Sequence, residues 1–194
     1  MELIFATNNP NKVKEIQHIL PAGIKVVSLK EGGINIDIPE PHDTLQANAS
    51  EKSSVIHRLT GKDCFSEDTG LEVTALNGAP GVKSARYAGE NASNEQNIGK
   101  LLEEMNTLSD RRARFRTVIS LILAGREYFF EGICNGTISR EPAGTNGFGY
   151  DPVFIPDGSQ RTFGEMSLEE KKAFSHRRKA TDQLVDFLLS QATI

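Results

Sequence analysis

The chain predicts an α/β fold built on a mixed sheet, and three observations carry that prediction. Short apolar strands alternate with amphipathic helices at first, beginning with the run Leu-Ile-Phe-Ala near the N-terminus. Two longer runs then follow each other, Arg114 to Leu123 and Glu127 to Ile138, joined near Gly125 as an antiparallel pair. A last helix from Ser175 puts Ala180, Leu184, Phe187 and Leu188 on one face. Alternation implies parallel pairing and the hairpin adds antiparallel pairing, so the sheet is mixed.

Taken in order, Glu2 to Thr7 reads as a buried strand entering the polar turn Asn8-Asn9-Pro10-Asn11. A helix follows with Pro10 in its first turn and Val13, Ile16 and Leu20 along one side. Lys25 to Leu29 is a second strand, and Gly32 to Asp43 is a Gly/Pro-punctuated irregular connection. Thr44 caps a helix reaching about Leu59. Cys64-Phe65-Ser66 and Leu71 to Leu76 read as two short strands around an acidic turn. Ile98, Leu101, Leu102 and Met105 have helical spacing. No internal repeat, low-complexity tract or clean linker interrupts the chain, which is expected to form a single domain over 1–194.

At 194 residues the chain has room for one large core or two lobes. A net charge of -4 and a pI near 5.6 argue against bulk nucleic-acid binding, though not against a small anion in a basic pocket. No apolar run approaches the ~20 residues that span a bilayer. No basic-then-apolar leader opens the sequence. Cys64 and Cys134 lack metal-type spacing and are expected to be reduced thiols in a cytoplasmic protein.

The most informative stretch is Gly144-Thr-Asn-Gly-Phe-Gly-Tyr-Asp-Pro-Val-Phe154. Three glycines in six residues allow positive φ and close approach to a ligand. Two rings and a carboxylate share the turn, a combination suited to a purine base; equally, Phe148 and Tyr150 could simply plug the core. Thr7 to Lys12 lies where a strand hands over to a helix, so free backbone N–H groups and the helix dipole favour a phosphate there. The competing reading is an Asn-rich cap. In the helix after Thr44, Leu45, Ala49, Ile56 and Leu59 mark the apolar stripe, and Lys52 falls on it with Asn48 one turn earlier. A lysine facing the core needs a carboxylate or a ligand phosphate, unless it snorkels from the edge. Ser66-Glu67-Asp68-Thr69-Gly70 could bind a hard divalent cation, with Glu40 supplying a further oxygen, or be an ordinary acidic turn. Lys171 precedes Ser175-His176-Arg177-Arg178 at the start of the last helix, where Arg177 can present its donors to a carbonyl or phosphate or the group can be a charged cap. Arg111, Arg112, Arg114 and Arg116 are assigned to the solvated face of a strand, with no function.

Together these segments resemble the inosine triphosphate pyrophosphatase family. The matching pieces are Thr7-x-Asn9-x-x-Lys12, Asn48 with Lys52, Glu67-Asp68-Thr69-Gly70-Leu71, Pro80-Gly81-Val82-x-Ser84-Ala85-Arg86-Tyr87, Gly147-Phe148-Gly149-Tyr150-Asp151-Pro152, Lys171 and Ser175-His176-Arg177. They stand in the family's order and span nearly the whole chain. Glu67 departs from the family's frequent Asp-Asp, and Asn8 stands where a glycine is often found.

The resemblance implies an elongated mixed β-sheet with flanking helices in two lobes, a nucleotide cleft between them, a homodimer and Mg²⁺. It implies hydrolysis of ITP, dITP and XTP to monophosphate and pyrophosphate. Asp68 would be catalytic, and Glu40 and Asp68 would hold the metal. Substrate would be bound by Thr7, Asn8, Asn9, Pro10, Asn11, Lys12, Asn48, Lys52, Thr69, Phe148, Gly149, Tyr150, Asp151, Lys171, His176 and Arg177. No nucleic-acid or membrane partner is expected. The alternatives are another Mg-dependent hydrolase of modified nucleotides, told apart by orthophosphate release, and a nucleotide sensor without turnover.

Overall fold

A computed structural model describes residues 1–191. Seven strands form one mixed sheet in the order β2-β1-β3-β5-β6-β7, with β4 paired to β3 off that path. They are β1 (Glu2–Phe5), β2 (Lys25–Ser28), β3 (Cys64–Val73), β4 (Pro80–Gly81), β5 (Arg112–Leu123), β6 (Arg126–Ile138) and β7 (Phe154–Pro156). The helices are α1 (Pro10–Ile19), α2 (Leu45–Thr60), α3 (Asn94–Glu104), α4 (Leu168–Lys172) and α5 (His176–Gln191). The described residues pack as two compact units, one of residues 1–68, 117–132 and 177–191, the other of 69–116 and 133–176.

In the first unit β1 pairs parallel with β2 and with β3, the pairing expected where strands alternate with helices. Leu3, Phe5, Phe65, Ile119 and Leu121 from the strands meet Ile16 of α1 and Ala180, Leu184 and Leu188 of α5. A smaller cluster joins Ile4, Ala6, Ile56 and Cys64 to Ile34, Ile36 and Ile38, which fixes the irregular connection before α2. The starts of α1 and α2 follow from their caps. Asn9 Oδ1 accepts from the Asn11 and Lys12 amides at 2.9 and 3.4 Å, and Thr44 Oγ1 accepts from Ala47 at 3.1 Å.

In the second unit β4 runs antiparallel to β3 and β7 antiparallel to β6. Its core is aromatic: Phe115, Tyr150, Phe154 and Phe163 pack with Leu71, Val73, Leu101, Met105 and Met166. Ser93 and Gln96 form a reciprocal cap that starts α3 and aligns Ile98 and Leu101 with this core.

Two expectations are corrected. The segment from Ser66 to Gly70 is not a turn: β3 is continuous from Cys64 to Val73. Its polar side chains find buried partners, so their composition does not break the strand. Arg111 is not solvated either; its guanidinium donates to the carbonyls of Ile138, Ser139 and Met105 at 2.6, 2.8 and 3.2 Å. Arg112 and Arg114 do face solvent and pair with Asp110 and Glu72.

Candidate functional site

In the first unit the continuity of β3 decides the chemistry, because successive side chains of a strand point to opposite faces. Glu67 and Asp68, adjacent in sequence, therefore serve different neighbours.

Glu67 enters a buried ion cluster. Arg177 Nε and Nη2 donate to its two oxygens at 2.7 and 2.9 Å, Lys12 Nζ lies 3.1 Å away, and Arg177 Nη1 donates to Glu15. Burial alone would push the Glu67 carboxyl upward, but the charges of Arg177 and Lys12 outweigh it and hold the group well below the usual range. The same carboxylates raise the Arg177 guanidinium against its own burial. Glu67 is thus committed to two cations of the fold. Glu15 was not identified from sequence, although it lies three residues after Lys12, one helical turn along the same side of α1.

Asp68 faces the second cluster. Lys52 Nζ donates to Glu40 Oε1 at 2.7 Å and lies 3.6 Å from Asp68 Oδ1. This answers the question of the core-facing lysine: its partners are two carboxylates of the fold. Burial pushes the Asp68 carboxyl above its ordinary range; Lys52 opposes the rise and Glu40 adds to it. Asn48, wholly buried, accepts from the His42 amide at 2.9 Å and donates to the His42 carbonyl at 3.2 Å.

The loop from Thr7 to Lys12 looks like its capping reading. The amides of Asn11 and Lys12 are taken by Asn9 and that of Asn9 by Thr7 Oγ1, so they are not the free donors the sequence suggested. Asn8 donates to the Ile36 carbonyl at 2.8 Å, tying this loop to the connection that carries Glu40. Pro10 and Asn11 are exposed in the first turn of α1.

In the second unit Asp151 and Lys171 form a buried pair at 2.7 Å. The Lys171 ammonium also lies over the rings of Phe148 and Phe163, 5.4 and 5.1 Å from their centroids. Asp151 Oδ2 accepts from the Phe148 amide at 3.1 Å, which closes the glycine loop. Gly144, Gly147 and Gly149 all take positive φ, as the loop reading required. A Cβ on Gly147 would stand 2.0 Å from Asp151 Oδ2. The two rings of this loop part company. Phe148 is half-buried against Lys171, whereas Tyr150 is a core residue whose hydroxyl donates to the Ser84 carbonyl at 2.6 Å. Tyr150 is therefore a core residue, as the core-plug reading has it. His176 is buried with its ring stacked on Phe115, centroids 4.7 Å apart. Thr69 and Gly149 are half-buried, on β3 and in the loop.

Among the described residues no group of three or more His, Cys, Asp or Glu side chains is placed to hold a metal. Glu40 and Asp68 nevertheless converge on one ammonium, so their oxygens already share a cation. Two carboxylates, completed by phosphate oxygens and water, are the donor set that suits a small hard divalent ion. Cys64 is a buried free thiol, pushed up to about 12 chiefly by burial, and is inert.

The Ham1 family matches this chain over residues 3–187. A dITP/XTP pyrophosphatase of Porphyromonas gingivalis is 53% identical over 189 residues, covering 97% of each chain. One of Flavobacterium psychrophilum is 50% identical over 187 residues, 96% of this chain and 98% of that protein. The solved Ham1 protein of Staphylococcus aureus superposes with a TM-score of 0.88 at 40% identity, covering 98% of this chain and all (100%) of the other.

Proposed function

Because the chain belongs to the Ham1 family, we propose that it hydrolyses deaminated purine nucleoside triphosphates, dITP and XTP together with ITP, to the monophosphate and pyrophosphate. It is a nucleoside triphosphate pyrophosphatase that removes miscoding purines from the nucleotide pool. The observation that supports the mechanism is the convergence of the half-buried Glu40 and the buried Asp68 on the Lys52 ammonium.

Asp68 is the proposed catalytic residue. Its carboxylate orients water towards the α-phosphorus, and the bond between that atom and the α,β-bridging oxygen breaks. Lys52, with a neighbouring carboxylate on either side, gives its charge to the triphosphate, and Lys12 with the side chains of the Thr7–Asn11 loop, rather than its capped amides, holds the far phosphates. Glu40 and Asp68 would hold Mg²⁺, which supplies charge neutralisation on the phosphates and on the pyrophosphate leaving group. Positioning and charge stabilisation dominate over proton transfer.

Base choice falls to the second unit. Phe148 offers a ring face, and Lys171, held by Asp151, offers N–H donors suited to the carbonyl at C6 of hypoxanthine and xanthine. Adenine carries an amino group there, so a donor would meet a donor, a mismatch worth ~10⁴ in specificity. His176 supports this cluster through its stacked ring. The donors of Arg177 are directed at Glu67 and Glu15, so its proposed part is to hold the Glu67 carboxylate rather than to read the base. A homodimer is the proposed assembly and the cytoplasm the proposed compartment, the latter in keeping with two free buried thiols. Among the described residues no helix is long and apolar enough to cross a membrane.

The test is a panel of dITP, XTP, ITP, GTP, ATP and CTP with Mg²⁺, measuring pyrophosphate and orthophosphate separately. Pyrophosphate should leave the first three with kcat/KM about 10³-fold or more above ATP. Orthophosphate release would transfer the protein to another class of nucleotide hydrolase, and equal turnover of ATP would remove the base-reading role of Lys171.

A further inference from the structure

We propose that Asn48 is a positioning residue that clamps the connection bearing Glu40 onto helix α2 and Asp68, and does not touch the substrate. Its side chain is wholly buried one turn before Lys52. Its carbonyl oxygen accepts from the His42 amide and its amide nitrogen donates to the His42 carbonyl, a two-way grip on one peptide segment. The amide also hydrogen-bonds Asp68. Asn48 and Lys52 therefore link the same two partners by different means. Lys52 joins the carboxylates of Glu40 and Asp68 by charge, and Asn48 joins the backbone beside Glu40 to Asp68 by hydrogen bonds.

The segment needs such a clamp because residues 33–43 have no regular secondary structure to fix them. Their described anchors are the Gly33 and Ile34 amides bonded to Lys30 and Leu29, the Asn8 bond to Ile36, the packing of Ile34, Ile36 and Ile38, the Lys52 bond to Glu40, the His42 ring against Glu51, and the Asn48 grip on His42. Lys52 holds the Glu40 side chain, whereas the Asn48 grip holds the backbone two residues beyond it at both the donor and the acceptor of one residue. An amide suits the task better than a charged side chain, since it both gives and accepts and leaves the local charge balance untouched. Because the inference rests on Glu40 and Asp68 acting together in the proposed reaction, its test has one arm that needs no substrate.

Asn48→Ala and His42→Pro are compared with the unaltered protein, with His42→Ala as the control for the ring's 3.5 Å contact with Glu51; His42→Pro removes the loop's own donor at an exposed position outside α2. In the ligand-free protein, amide hydrogen exchange across residues 36–43 should speed up about 10-fold or more in both variants, with β3 and α2 still protected. With dITP and Mg²⁺, kcat should fall about 10–100-fold and the Mg²⁺ concentration for half-maximal rate should rise, while the nucleotide KM stays within about 3-fold. A raised KM with unchanged exchange would overturn the proposal and put Asn48 on the substrate. Unchanged exchange and kinetics would overturn it as well. If Asn48→Ala loses protection throughout α2, His42→Pro decides the matter. If even the unaltered protein releases no pyrophosphate, the proposed reaction fails, and the exchange arm still decides the clamp.

Discussion

Arg177 and Glu67 face each other as a planar fork on a carboxylate, with bonds of 2.7 and 2.9 Å and neither side chain appreciably exposed. Glu15 and Lys12 complete the cluster, which joins α1, β3 and α5 within the first unit. Two carboxylates and two cations balance in charge, and the bidentate geometry suits arginine in a way lysine cannot copy.

Glu67→Gln should cost about 3–5 kcal/mol at pH 7, the usual penalty for removing one partner of a buried pair. The Glu67 carboxyl titrates lower in the folded protein than its ordinary value of 4.5. Its stabilisation is therefore full above that pH and is lost as pH falls towards the folded value. Urea unfolding at neutral and acid pH should show the gap between the two proteins narrowing below about pH 4.5. A gap that persists unchanged at low pH would show that the effect is packing and not charge.

Asp68→Asn should lose about 10²–10⁴-fold in turnover while keeping nucleotide binding. The fold should be as stable or more so, because burial raises this carboxyl and its ionised form is unfavourable at neutral pH. Steady-state kinetics with thermal unfolding separates the two effects. Near-normal turnover at saturating Mg²⁺ would remove Asp68 from the chemistry.

Lys52→Met should weaken triphosphate binding, and the ion pairs add a second consequence. Glu40 and Asp68 would be left facing each other without their shared cation, at a cost of about 1–3 kcal/mol in the ligand-free protein. Sequence alone suggests no loss of stability, since a lysine on an apolar stripe looks like a liability. Calorimetric unfolding without nucleotide distinguishes the two expectations.

Gly147→Ala should disable the second unit's proposed base-reading cluster without touching Asp68. Positive φ strains the backbone, and the new Cβ would collide with Asp151 Oδ2. Asp151 must then move from Lys171 and from the Phe148 amide. Nucleotide KM should rise about 10-fold or more, with a larger loss for dITP than for ATP. A variant that keeps its selectivity would show that the Asp151–Lys171 pair does not read the base.

What the sequence revealed and what it hid divide along a physical line. Thr44, Pro10 and the apolar stripes marked α2, α1 and α5 because caps and helical periodicity are local signals. The hairpin of β5 and β6 was legible for the same reason. Ser66-Glu67-Asp68 was misread as a turn because its polarity is satisfied from afar. Ser66 donates to Ala49, Glu67 meets Arg177, and Asp68 meets Lys52. No window of sequence contains those partners. Glu15 escaped notice likewise, since its partner lies 162 residues away. Tyr150 shows the opposite limit: the glycine loop was correctly located, yet only packing could tell which of its two rings enters the core.

The pleat of β3 turns neighbouring acids into components of separate machines. Glu67 looks to the ion cluster that joins α1 and α5, and Asp68 looks to the lysine and glutamate of the proposed reaction centre. A one-residue slip of this strand would exchange their faces. The shorter aspartate would then point at Arg177 and the glutamate at Lys52, each with the wrong reach. Insertions or deletions of a single residue between Cys64 and Asp68 are thus forbidden twice over, while an inserted pair restores both faces and displaces each acid by two positions along the strand. Parity, more than the identity of either acid, is the inheritance this strand must preserve.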